Sequence, residues 1–190
     1  MNRFALLLVL ASATSGAMAQ ATNPATKRVL DSTDQALATQ LDVYFDGGDF
    51  PRTIELLRAR YELAPTNYER ATDLGWMLEN VERWDQAIAV YARFRREATS
   101  DPNRALPEAD FYFRKRLYPR VPALLEPAVG QPGVHPNLYR VLAHAYDRLG
   151  QFADSVRVWE VYLKIQPEDG AAKMNRDRVK AKIANPPKSK

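Results

Sequence analysis

The chain has 190 residues, 46% of them apolar, 10% aromatic and 26% charged, which is the composition of one ordinary folded domain. It contains no cysteine, and this excludes a disulfide framework, a thiolate metal site and a cysteine nucleophile. The formal net charge of +4 is unevenly placed: Ala172 to Lys190 carries seven Lys and Arg against one acid, Asp177, while the body from Gln20 to Ala171 is net negative, at −3.

In chain order, Met1 to Ala19 reads as a secretory signal peptide. Arg3 supplies the positive charge, Phe4 to Ala11 the apolar run, and Ala17-Met18-Ala19 the small-x-small cleavage pattern. The apolar run falls short of the about 20 residues that a membrane span needs, and Ser12, Thr14, Ser15 and Gly16 make the second half polar. Cleavage after Ala19 is therefore expected over retention as an anchor. No cysteine follows that site, so no lipid is expected. An exported chain with neither cysteine nor an Asn-x-Ser/Thr acceptor fits a bacterial envelope, in the periplasm or secreted beyond it. Residues 20–33 read as a disordered linker.

From Asp34 onward the apolar residues take helical spacing, and the spacing itself repeats. The stretch AHAYDRLGQFADSVRVW, Ala143 to Trp159, lies over GWMLENVERWDQAIAVY at Gly75 to Tyr91 when shifted by 68 residues. In the same 34-residue register it lies over LDVYFDGGDFPRTIELL at Leu41 to Leu57 and ADFYFRKRLYPRVPALL at Ala109 to Leu125. One aromatic recurs in all four, as Phe50, Trp84, Tyr118 and Phe152. Tyr44, Leu78, Tyr112 and Tyr146 share a phase, as do Thr53, Ala87, Val121 and Ser155, and Leu57, Tyr91, Leu125 and Trp159. Small residues recur at Gly75, Ala109 and Ala143, with Leu41 the exception. The units run 34–67, 68–101, 102–135 and 136–169, each predicting two antiparallel helices.

Local signals agree with that division. Ser32-Thr33-Asp34-Gln35 and Thr66-Asn67-Tyr68-Glu69 read as capping boxes for the first helices of units one and two. Pro136 suits the first position of a helix in unit four. Gly48 and Gly150 suit helix ends that need a positive φ. The size order predicts close helix packing, with Ala143 letting its helix approach Ser155 and Gly75 doing the same for Ala87, while Tyr146 and Trp159 fill the remaining space. The third unit departs from the pattern through Pro107, Pro119, Pro122, Pro127 and Pro132. It is either a degenerate unit with a short, irregular second helix or an insertion that keeps the phase. The in-phase Tyr112, Tyr118 and Leu125 favour the degenerate unit. Residues 170–184 predict a polar capping helix with Ala172, Met174, Val179 and Ile183 inward and Lys173, Arg176, Lys180 and Lys182 in water. Residues 185–190 form a basic tail, expected to be disordered.

A 34-residue helix-turn-helix unit with small residues in mid-helix and a proline near its end, here Pro65 and Pro167, resembles the tetratricopeptide repeat. The resemblance covers Asp34 to Asp169. It implies an all-α, right-handed α-solenoid of about four units plus the C-terminal capping helix. It also implies a concave groove lined by the first helix of each unit and suited to an extended peptide or a partner helix. On this sequence that face is Asp42, Phe45 and Asp46 in unit one; Asp73, Trp76, Glu79 and Asn80 in unit two; Asp110, Phe113 and Arg114 in unit three; and Arg140, His144, Asp147 and Arg148 in unit four. Ala38 and Asp42 stand where repeats that grip a chaperone's terminal carboxylate carry a cationic clamp, so that activity is not implied.

Trp76 follows Gly75 and points about 100° from the packing position. It is either an anchor for a ligand side chain or inter-unit core against Phe45. The face runs from acidic, Asp42 to Glu79, to basic, Arg114 to Arg148, which would orient a peptide of matching charge order.

For chemistry the sequence offers little. His135 and His144 have no partner at metal-ligand spacing, and there is neither a glycine-rich phosphate loop nor a nucleophile elbow. No catalytic residue, metal or cofactor is expected. The reading is a non-catalytic interaction adaptor or scaffold of the bacterial envelope with a protein or peptide partner and no nucleic acid. The alternative is a binder of anionic surface or cell-wall polymer through the basic C-terminal helix and tail.

Overall fold

The protein is described here by a computed structural model covering residues 23–185. The signal-like segment and the end of the basic tail, 1–22 and 186–190, lie outside the described residues. The helices are α1 Pro24–Asp46, α2 Phe50–Leu63, α3 Tyr68–Asn80, α4 Trp84–Glu97, α5 Leu106–Arg114, α6 Val121–Leu125, α7 Pro136–Arg148, α8 Phe152–Ile165 and α9 Gly170–Ala184. They pair as consecutive hairpins that stack into a helical solenoid, each helix packing on its chain neighbours. Among the described residues no helix is long and apolar enough to cross a membrane.

The 34-residue period is written in the backbone. First helices end at Asp46, Asn80, Arg114 and Arg148. Two residues later the chain turns left-handed, at Gly48, Glu82, Arg116 and Gly150, with φ of 72°, 60°, 60° and 75°. Each turn is closed by one long-reach hydrogen bond. The N–H groups of Asp49, Arg83, Leu117 and Gln151 donate to the carbonyls of Tyr44, Leu78, Tyr112 and Tyr146 at 2.8, 2.8, 2.8 and 2.9 Å. This is the Schellman cap, in which a left-handed residue lets the last carbonyls of a helix find donors. It explains why the two glycines are at Gly48 and Gly150. It also shows that Glu82 and Arg116 adopt the same conformation at a steric cost.

Two apolar cores follow. One joins α2, α3 and α4 around Ile54, Leu74, Leu78, Tyr91 and Phe94. The other joins α5 to α9 around Leu125, Leu138, Leu142, Trp159 and Ala172. Half-buried Tyr112 packs against both. In unit four Ser155 Oγ donates to the Ala143 carbonyl at 2.8 Å, the close approach that the small residues imply. In unit two the close approach differs from expectation: a Cβ on Gly75 would stand 2.2 Å from the Tyr91 ring, so the glycine clears Tyr91 rather than Ala87.

Four further expectations are corrected. Residues 24–33 belong to α1, which starts at Pro24 because Asn23 accepts the Ala25 N–H at 2.9 Å and the Lys27–Asp31 pair, 2.7 Å, supports the first turns. Asp34 is thus mid-helix, held by Arg60 and Arg70 at 2.9 and 3.0 Å, and the Arg60 hydrogen bond keeps its carboxyl below the usual range. The cap of α3 is Asn67, accepting from Arg70 N–H at 3.0 Å, one residue after Thr66. In α9, Ala172 and Val179 are buried, but Met174 and Ile183 are exposed, because α9 packs through a narrow stripe onto α8.

Unit three is degenerate as its prolines imply. Its first helix, α5, starts only at Leu106, after a run of turns over residues 98–105. Its second is broken into a 3₁₀ turn at Tyr118–Arg120, the five-residue α6 and a 3₁₀ turn at Glu126–Ala128. Pro119, Pro122 and Pro127 each sit near the start of one of these pieces, where the missing N–H costs least.

Candidate partner-binding groove

The C-terminal half of α1 and helices α3 and α5 lie side by side and bring one part of the inferred face together. Trp76 is 54% exposed and is not part of either core. It stands between clefts. One, of about 310 Å³, is lined by Phe45, Phe50, Trp76, Met77, Asn80 and Val81. A second, of about 200 Å³, reaches from Phe45 and Trp76 to Asp42, Asp73 and Leu57. A third, also about 200 Å³, lies on the far side of Trp76, toward Asp110 and Arg114. Phe45 stacks edge-on with Phe50 at 6.3 Å, not with Trp76, so the two aromatics wall a shared cleft instead of closing it.

The polar groups divide in two. Asp42, Asp46 and Asp73 make no ion pair among the described residues, and partial burial raises the Asp73 carboxyl above its ordinary range. Asn80 is turned back on the Trp76 carbonyl at 2.8 Å. Glu79 is engaged, accepting from Tyr91 Oη at 2.9 Å and pairing with Arg114 at 2.6 Å. Arg114 also pairs with Asp110. Burial, reinforced by Glu79, drives the Tyr91 phenol far up, so it stays a neutral donor.

Phe113 and the unit-four residues depart from the inferred face. Phe113 is half-buried, packed on Tyr118 at 5.3 Å and against the second core. Arg140 pairs with Asp169 at 2.8 Å and reaches the Tyr162 hydroxyl. His144 packs edge-on against Trp159 at 5.2 Å, and burial, with Arg178 nearby, lowers its pKa. Asp147 is 9% exposed and held by Arg178 and Lys182 of α9 at 3.0 and 2.6 Å. Burial alone would raise its carboxyl, but these two cations hold it below the usual range. Of the unit-four residues of that face, Arg148 alone is exposed with no ion pair among the described residues. The reason is positional. Glu79–Arg114 and Asp147–Lys182 are the same contact 68 residues apart, each tying the end of one first helix to the next, so α9 occupies the place of a fifth first helix. The acidic-to-basic gradient is therefore spent largely on ties between helices.

The basic face of α9 is likewise committed. Lys173, Arg176, Arg178, Lys180 and Lys182 each pair with a carboxylate, four of them within 3.0 Å.

No family model matches the chain, and no curated protein matches it by sequence. Solved structures do match. A double mutant of MamA from strain RS-1 superposes with a TM-score of 0.62 at 13% identity, covering 80% of this chain and 85% of its own. MamA residues 41 to end from Desulfovibrio magneticus RS-1 give 0.61 at 13% identity, over 80% and 86%. MamA from AMB-1 gives 0.59 at 17%, over 81% and 84%. MamA is a tetratricopeptide-repeat protein, and at these identities the match shows the fold: this chain is a helical solenoid of that type.

Proposed function

We propose that this protein is a non-catalytic adaptor of the bacterial envelope that seats a peptide or partner helix across the Trp76–Phe45 clefts. A solenoid of this type is a scaffold for protein partners. The observation that carries the placement is Trp76, a large aromatic that the fold does not use, standing half-exposed between clefts. Exposed aromatics flanked by pockets are where binding energy concentrates. The unpaired Asp42, Asp46 and Asp73 around it favour a partner with an apolar anchor flanked by Lys or Arg, chiefly through encounter rate and orientation. The envelope location rests on the signal-like pattern of Met1 to Ala19.

The deciding variant is Trp76→Ala. Partner affinity should fall by about 2 kcal/mol or more, while the melting temperature hardly moves, since a half-exposed side chain is being removed. The partner is first captured by crosslinking in envelope extract and then titrated by calorimetry. A Trp76→Ala protein that binds as tightly as wild type would remove the groove assignment. N-terminal sequencing of protein from the host should begin at Gln20, and an intact Met1 would remove the envelope assignment.

A further inference from the structure

The broken third unit borders a cavity whose lining differs from that between the regular units. In register with its neighbours, the first helix of unit three would begin near residue 102 and the second would run from Tyr118 for about four turns. Instead α5 begins at Leu106 and the second helix is three short pieces. The missing turns open a cavity of about 410 Å³ between the end of α4, the 98–105 turns and α6, within the size range of small-molecule sites. One wall is apolar, formed by Leu124, Pro127 and Ala128; the opposite rim carries Arg95, Arg96 and Arg104 with the hydroxyls of Thr99 and Ser100.

The guanidinium groups are not equivalent. Arg95 is neutralised by Glu108 at 2.6 Å. Arg96 and Arg104 make no ion pair among the described residues. Arg104 is braced by one hydrogen bond from Nη1 to the Thr99 carbonyl, 3.1 Å, which leaves its other donors free. The single carboxylate in the lining, Asp101, accepts the backbone N–H of Asn103 at 2.8 Å. A second surface cavity, between α2 and α4, gives the contrast. It also holds two arginines, but Arg93 there pairs with Glu62 and Glu97, and Arg58 with Glu55. Of these two cavities, only the one beside the broken unit is lined by arginines that make no ion pair among the described residues.

We propose that this cavity binds a small anion with an apolar body, its phosphate or carboxylate head between Arg96 and Arg104 and its body against Leu124 and Pro127. Guanidinium forks suit both head groups because they donate paired N–H bonds to two oxygens. The site is separate from the Trp76 clefts and does not depend on them.

The test titrates the ¹⁵N-labelled full chain with hexyl phosphate, below its aggregation concentration, and in parallel with inorganic phosphate. Saturable shifts should gather on residues 96–105 and 123–128. Hexyl phosphate should bind about fivefold or more tighter than phosphate, from burial of its methylenes. Arg96→Ala/Arg104→Ala should weaken binding by about tenfold or more, as for lost charge-assisted bonds, with an unchanged melting temperature. Ala123→Glu, at the exposed rim, should weaken it as well and serves if the double variant folds poorly. Sedimentation with phosphatidylglycerol vesicles separates two sources of the same chemistry: arginine-dependent pelleting assigns a lipid headgroup, and binding of hexyl phosphate without pelleting assigns a soluble ligand. Shifts spread over the surface, equal affinity for both phosphates, or binding indifferent to both variants would overturn the proposal.

Discussion

Helices α3 and α7 start 68 residues apart, have the same length and open units of the same design, yet they treat the same positions in opposite ways. Trp76 on α3 stands in water, while His144, its counterpart on α7, is packed against Trp159 and screened by Arg178. Glu79 and Asp147 both tie forward to the next first helix and both are largely covered, at 11% and 6% side-chain exposure, but α9 brings two cations to Asp147 where α5 brings one to Glu79. The lesson is that a position in a repeat has no fixed environment of its own. Its exposure depends on how closely the following unit packs, and the short α5 packs less on α4 than α9 does on α8.

The strongest way to break this comparison is at Trp159. It is 1% exposed, and Trp159→Ala should cost about 3–5 kcal/mol in chemical denaturation. Trp76→Ala should leave stability nearly untouched. If the two tryptophans melt alike, the open and closed halves are not distinct.

Gly75→Ala probes the open half from inside. Its Cβ would meet the Tyr91 ring at 2.2 Å, and that ring is 3% exposed and tethered through its hydroxyl to Glu79. Overpacking should cost about 1–3 kcal/mol, and a neutral outcome would mean that α3 and α4 are not in close contact at Gly75.

Asp147→Ala sharpens the closed half. Removing a buried, doubly paired carboxylate should cost about 1–3 kcal/mol and loosen α9, seen as faster amide exchange over Gly170–Ala184. The effect has a pH signature. The native carboxyl is depressed, so its contribution is full above the unfolded value near 3.8 and is lost as pH falls through the native value. Acid destabilisation should therefore be less steep in Asp147→Ala than in wild type. Identical acid profiles would place the docking of α9 elsewhere.

The smallest expected effect is at the turns. Glu82 and Arg116 hold the left-handed conformation that Gly48 and Gly150 adopt freely. Glu82→Gly should stabilise by about 0.5–1 kcal/mol, and Gly150→Ala should destabilise by a similar amount, read as shifts of the denaturation midpoint. Opposite signs would show that the four turns are not equivalent.

Much of this architecture was legible in the residues because periodic features repeat a local physical demand four times over. The start of each second helix at Phe50, Trp84, Tyr118 and Phe152, the turns, the proline-broken third unit and the extent of α9 all follow from helix propensity, capping and steric limits along the chain. The early start of α1 was missed because Lys27–Asp31 and the Asn23 cap support helix without any apolar stripe, and none of its residues is buried. Which face is free to bind was not legible. The repeat pattern gives the same groove register to Trp76, Asp110 and His144, but Trp76 stays half-exposed, Asp110 pairs with Arg114 within its own helix, His144 packs on Trp159 of α8, and Asp147 is held by cations of α9. Sequence fixes the order of side chains along a helix. The desolvation and ion pairing that select among them are properties of contacts 22 to 35 residues away, and only the stacked structure sets those.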